Sequence, residues 1–266
     1  MARFLDEEQE TDVFRKLLVP GILMTFAYVA ATDCPGLLLL FAHKAGLMQS
    51  LPFSIWALNL PSTAGMVLAG LIVIRAAGLT RAETGLSIPS DRSCLPTAVL
   101  LGAAAAVVTV ACVYLPGLLF RLGEQPDPFH DFPISSRAVP ETWALAMASA
   151  AWGIARAFLL FGAMQAYLAR KSSAHVRLIA WEIPAAGIAV FLVVMLLNLV
   201  SWMSAPFFLL SFVSMTFLPA ASWGVVMLAS ARWFERSRSL AAPALALGVY
   251  HGLAPVLHHA IYVSLR

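Results

Sequence analysis

Polar residues cut this chain into a series of long apolar runs, at approximately 17–42, 51–74, 96–120, 142–169, 178–201, 205–231 and 240–264. Each run reaches the roughly 20 residues that a helix needs to cross about 30 Å of hydrocarbon. None alternates apolar and polar positions over about ten residues, as the strand of a membrane barrel does. The pattern predicts an all-α integral membrane protein, a bundle of about seven transmembrane helices. Residues 1–16 form a polar segment ahead of the first run, and 17–266 form a single transmembrane domain.

The composition agrees with that reading. Hydrophobic residues make up 61% of the chain, charged residues only 12%, and the mean hydropathy of +0.83 lies far from that of soluble domains. The opening MARFLDEEQETDVFRK holds five acidic side chains, whereas a signal peptide opens on a basic stretch, so no cleaved targeting segment is expected.

Basic residues then set the orientation, because cytoplasmic loops retain lysine and arginine. Arg3, Arg15, Lys16, Arg75, Arg81, Arg92, Arg170, Lys171, Arg177, Arg232, Arg236 and Arg238 fall on one side of the predicted spans; Lys44, Arg121, Arg137 and Arg266 fall on the other. The expected N-terminus is cytoplasmic, and the proline-rich segment 121–141 becomes the main external loop. The net charge of +3 follows from these topology-setting residues, and nucleic acid is not an expected partner. Expected partners are the lipid bilayer and other membrane protein subunits.

Ionisable and amide groups at bilayer depth are costly and draw attention individually. Arg156 lies inside the fourth run. It is open to two readings: a structural cation held by helix-end carbonyls or by Asp33 of the first run, or a guanidinium that holds an anionic group of a lipid, cofactor or partner. Asn59 and Asn198 fit interhelical hydrogen bonding. His251, deep in the last run, suits either a hydrogen-bonded core position or an axial ligand to a cofactor such as haem. His258 and His259 sit close to the external interface and are expected to reach its headgroups. Trp56, Trp152, Trp181 and Trp223 fall within spans, where some are expected to face lipid or another subunit.

Metal and cofactor chemistry has no clear signature. Cys34, Cys94 and Cys112 are widely spaced, the histidines lack an HExxH arrangement, and Glu124, Asp127, His130 and Asp131 of the external loop match no metal-site spacing. No metal site is expected, and no cofactor is identified. A retinal Schiff base is excluded as well. It needs a lysine within the bundle, and Lys16, Lys44 and Lys171 all lie at span boundaries.

Four segments in order resemble the CPBP family of intramembrane proteases, the CAAX-protease and bacteriocin-processing group. They are LTRAETGLSIPSDRSCLPTAVLLGAAAA at 79–106, FLLFGAMQAYLARK at 158–171, AGIAVFLVVMLLNLV at 186–200 and LPAASWGVVMLASARWFERSRSLAAPALALGVYH at 218–251. Together they resemble a cytoplasmic connection followed by spans that carry EExxxRG, FxxxH and HxxxN motifs. With Gly162 as the glycine of the first motif, the glutamate positions fall on Arg156 and Ala157 and the arginine position on Phe161. The second motif falls on Val194 and Asn198, and the third on Leu247 and His251.

The resemblance implies hydrolysis assisted by carboxylate and imidazole groups, and these substitutions remove them. A cation at a glutamate position also repels the divalent metal that a carboxylate would attract. The expectation is a CPBP-like protein without proteolysis, a scaffold or accessory subunit of a larger membrane complex, beside pigments or other cofactors, in a bacterial inner membrane that it crosses several times. The alternative is an active intramembrane protease with a rearranged site built from Asp33, Glu182, Asn198 and His251.

Overall fold

The protein is described by a computed structural model that covers residues 55–86, 93–120, 139–171 and 218–264. These residues form helices α1 (Ile55–Ala77), α2 (Cys94–Phe120) and α3 (Val139–Ala157), which runs on through a π-helical segment (Phe158–Gln165) into α4 (Ala166–Lys171). Helices α5 (Leu218–Ser237) and α6 (Ala241–Ser264) follow. No strand occurs among the described residues.

Four stretches are long and apolar enough to cross a membrane: Asn59–Ala77, Cys94–Cys112, Thr142–Gln165 and Ala241–Ile261. They match the runs expected at 51–74, 96–120, 142–169 and 240–264. The runs at 17–42 and 178–201, the segment 1–16 and most of the external loop lie outside the described residues, as do Asp33, Val194, Asn198 and Glu182. The run expected at 205–231 is described from Leu218 onward, and its helix extends to Ser237. Helical hydrogen bonding does not stop where apolar character does, so Arg232, Glu235 and Arg236 belong to the last turns of α5 and not to a connecting loop.

Helix α6 is central and packs on α3, α2 and α5, while α1 lies against α3 and the π segment. Small residues let the backbones meet. A Cβ at Gly102 of α2 would collide with the Ala246 carbonyl, and one at Gly153 of α3 with the Leu247 carbonyl. Gly252, four residues after Gly248, faces Ala146 and Ala150 of α3. In lipid, where burial of apolar surface supplies no drive between helices, such close contact is what holds them together.

The end of the bundle where α1 finishes is built by short-range hydrogen bonds. Gly78, at φ +62°, closes α1: its N–H bonds to Arg75 O at 3.2 Å and the Leu79 N–H to Ile74 O at 3.0 Å, the paired bonds of a Schellman cap. Arg170 of α4 donates from Nη1 to Ala77 O at 2.9 Å and to Gly78 O at 3.0 Å, which satisfies carbonyls that α1 leaves without helical partners.

One helical turn follows at once. Thr80 caps it, its Oγ1 accepting the Glu83 N–H at 3.3 Å, while Glu83 Oε2 accepts the Thr80 N–H at 2.7 Å and its hydroxyl at 2.8 Å. Gly85, at φ +68°, ends the turn, and its carbonyl accepts the Leu240 N–H at 2.9 Å, tying this loop to the start of α6. A side chain at Gly85 would be strained by that backbone and would meet Phe234 at 2.6 Å.

Candidate functional site

Arg156 and Trp152 are four residues apart on α3 and therefore share a face. That face meets α5 and α6. The guanidinium carbon of Arg156 lies 4.8 Å from the centre of the Trp152 ring and 4.5 Å from that of Trp223 on α5. His251 of α6 completes the group, with its ring edge-on to Trp152 at 4.5 Å and tilted against Trp223 at 5.2 Å. Tyr250 packs on both His251, at 4.9 Å, and Trp223, at 5.4 Å.

Magnitudes explain why a permanent charge is tolerated at this depth. An arginine at the centre of a spanning helix costs about 3 kcal/mol on insertion scales. A cation–π contact of a desolvated guanidinium contributes about 2 kcal/mol. Two indole faces are thus enough to offset the cost, so the cation is held by aromatic side chains drawn from two helices. Trp152 and Trp223 accordingly turn toward the bundle.

The polar groups around this cluster are unevenly satisfied. The Tyr250 hydroxyl lies 3.1 Å from Thr109 Oγ1 of α2. Nearby, Ser222 of α5 donates to Ala105 O of α2 at 3.2 Å. His251 Nε2, by contrast, is buried and has no hydrogen-bond partner among the described residues, and the same holds for Nε2 of Gln165 at the end of the π segment. Pro255 has no amide proton, so the His251 carbonyl also lacks its usual helical donor.

Of the positions singled out from the motifs, Arg156 and His251 come together here. Ala157, Phe161 and Leu247 are fully buried in apolar packing, with Phe161 beside Phe234 of α5. Gly162 lies in the π segment, where an added Cβ would meet the Leu240 side chain at 2.8 Å and Thr84 O at 3.1 Å. Asn59 Nδ2 donates to Ser149 Oγ at 3.0 Å and so joins α1 to α3. Of the two histidines near the end of α6, His258 differs from expectation. His258 is buried against Tyr114 of α2, whose hydroxyl lies 3.4 Å from Nε2 and donates to the His258 carbonyl at 3.3 Å. A tyrosine within reach keeps this imidazole inside the bundle, so it does not extend to headgroups.

Trp152, Trp223 and Tyr250 are the site residues that sequence reasoning did not select. The i, i+4 spacing of Trp152 and Arg156 was the one signal available, since Trp223 and His251 arrive from other helices. Among the described residues, no three His, Cys, Asp or Glu side chains gather as metal ligands would. No family model matches this chain, and no curated protein or solved structure is significantly similar to it.

Proposed function

We propose that this chain is a multi-pass membrane protein of about seven spans that resembles the CPBP proteases in layout and does not cleave peptides, serving as a scaffold or accessory subunit of a larger membrane complex. The N-terminus is cytoplasmic and the host membrane a bacterial inner membrane. One observation carries the reading: the described residues at the resembling motif positions are set among aromatic and apolar side chains. Arg156 is enclosed by indole rings, while Ala157, Phe161 and Leu247 fill the apolar core. A carboxylate base or a metal at this place would face a guanidinium and aromatic carbon.

The accessory role draws support from the outer surface. Leu68, Leu71 and Ile72 of α1, Leu100 of α2 and Met147 of α3 are more than half exposed on the described helices, as groups facing lipid or another membrane subunit would be. The test is purification from native membranes in mild detergent, with mass spectrometry of what accompanies the chain and an assay against membrane-spanning peptide substrates. Stoichiometric membrane partners with no cleavage are expected. A solitary monomer, or turnover that depends on His251, would overturn the proposal.

A further inference from the structure

We infer that one end of the bundle is a docking surface for anionic phospholipids of the surrounding leaflet. Three stretches of membrane-spanning length meet there: two end at Ala77 and Gln165, and a third begins at Ala241. Arg75 lies in the last turn of the first, Arg81 and Arg170 just beyond the first and second, and Arg238 just ahead of the third. Arg232 and Arg236 occupy the closing turns of α5. All six are exposed, at the depth where lipid headgroups border a spanning helix.

The fold gathers these charges from segments far apart in the sequence. Arg170 bonds to the carbonyls of Ala77 and Gly78, and the loop that carries Arg81 is tied through Gly85 O to the Leu240 N–H at 2.9 Å. Arg238, at φ +49°, occupies a left-handed position where glycine would be unstrained, and its N–H bonds to Phe234 O at 2.9 Å. Orientation of a membrane protein needs basic residues in its connecting segments, but it asks nothing of where they stand once the chain has folded. Convergence on one hydrogen-bonded corner lets the charges act together on a single headgroup region.

The chemistry of the partner follows from the surroundings. Among the described residues, the only acidic side chains at this end are Glu83 and Glu235, and Glu83 is already engaged by Thr80 and Arg170. The surface therefore carries a surplus of positive charge. On α1, Leu68, Leu71 and Ile72 are more than half exposed, and Arg75 follows them on the same face. An acyl chain lying along those side chains brings its phosphate to the guanidinium, a fit that neither a soluble anion nor a nucleic acid can exploit. The inference rests on neither the accessory role nor the proposed orientation, since each leaflet presents headgroups.

Native mass spectrometry of the full chain, released from nanodiscs of equal parts phosphatidylglycerol and phosphatidylcholine with matched acyl chains, counts the lipids it retains. Phosphatidylglycerol is expected in about fivefold excess or more, the factor that one arginine near an anionic surface supplies. That excess should fall as ammonium acetate is raised from about 0.1 M to about 1 M, because the screening length shortens from about 10 Å to about 3 Å. Replacing Arg81, Arg236 and Arg238 together by glutamine should bring the ratio to within about twofold of unity, while replacing all three by lysine should preserve the excess. Equal retention of the two lipids by the unmodified chain, or an excess indifferent to salt, would overturn the inference without recourse to any variant. A glutamine variant that keeps the excess would overturn it as well, and so would a lysine variant that loses it as fully as the glutamine one.

Discussion

Arg156 answers a question that its sequence neighbours pose. A guanidinium within an apolar helix needs compensation, and the structure supplies it from Trp152 one turn away and from Trp223 on another helix. Ala157, the next residue, is completely buried. Restoring the pair of glutamates with Arg156→Glu and Ala157→Glu therefore recreates a motif in name only. One carboxylate is set against indole faces that attract cations, and the other enters a packed apolar core at a cost of about 3 kcal/mol or more. The double variant is expected to accumulate poorly and to show no peptidase activity, with yield, thermal unfolding in detergent and a cleavage assay as the measurements. Efficient cleavage by a well-folded double variant would mean that Phe161 and Leu247 do not limit the chemistry.

At the scale of elements, Arg170 of α4 bonds to the carbonyls at the end of α1 and pairs with Glu83, which caps the turn that follows. The Glu83 carboxyl is held below the usual carboxylate range, first by the Thr80 backbone N–H, then by the Thr80 hydroxyl, with a smaller pull from Arg170 at 3.9 Å. A depressed folded value means that this stabilisation is present above the pKa of the unfolded chain and is lost as pH falls through the folded value. Thermal unfolding of the protein and of Glu83→Gln, compared from about pH 7 to about pH 3, should show a difference that is largest at neutral pH and closes on acidification. A difference that does not change with pH would show that the charge of Glu83 contributes nothing to the cap.

The same elements show what the sequence revealed. Long apolar runs marked α1, α2, α3 and α6, because a bilayer imposes a length and a polarity that composition displays directly. The π segment was not legible: FLLFGAMQ is locally an ordinary apolar helix, and its wider turn is matched by contacts from Thr84 and Leu240, far along the chain. The Schellman cap at Gly78 and the Thr80–Glu83 capping box carried local signals of the usual kind. The site was half legible. Arg156 and His251 stood out as polar groups in apolar runs, but their meeting depends on which face each helix turns inward. In hydrocarbon an all-apolar helix gives little indication of that, since lipid and protein interior accept the same side chains.

For the molecule as a whole, hydrogen bonds fix which helix ends lie together. Arg170 at the end of α4 bonds to the end of α1, and Leu240 at the start of α6 bonds to the loop that follows α1. Arg75, Arg81, Arg170, Arg236 and Arg238 therefore belong to one end of the bundle. The proposed orientation puts that end in the cytoplasm, because positive charge is retained there. Helix α4 arrives at this end, and α5, which follows it in the sequence, arrives at the same end again, with α6 starting just beyond Ser237. In the proposed arrangement of about seven spans, the apolar run at 178–201 is the crossing that lies between them in the sequence. Single cysteines in a cysteine-free background test the arrangement. Ser204→Cys is expected to react with a membrane-impermeant maleimide in intact cells, and Ser173→Cys only after the membrane is opened. The reverse pattern would invert the orientation, and equal labelling of both sites in intact cells would remove the crossing between them.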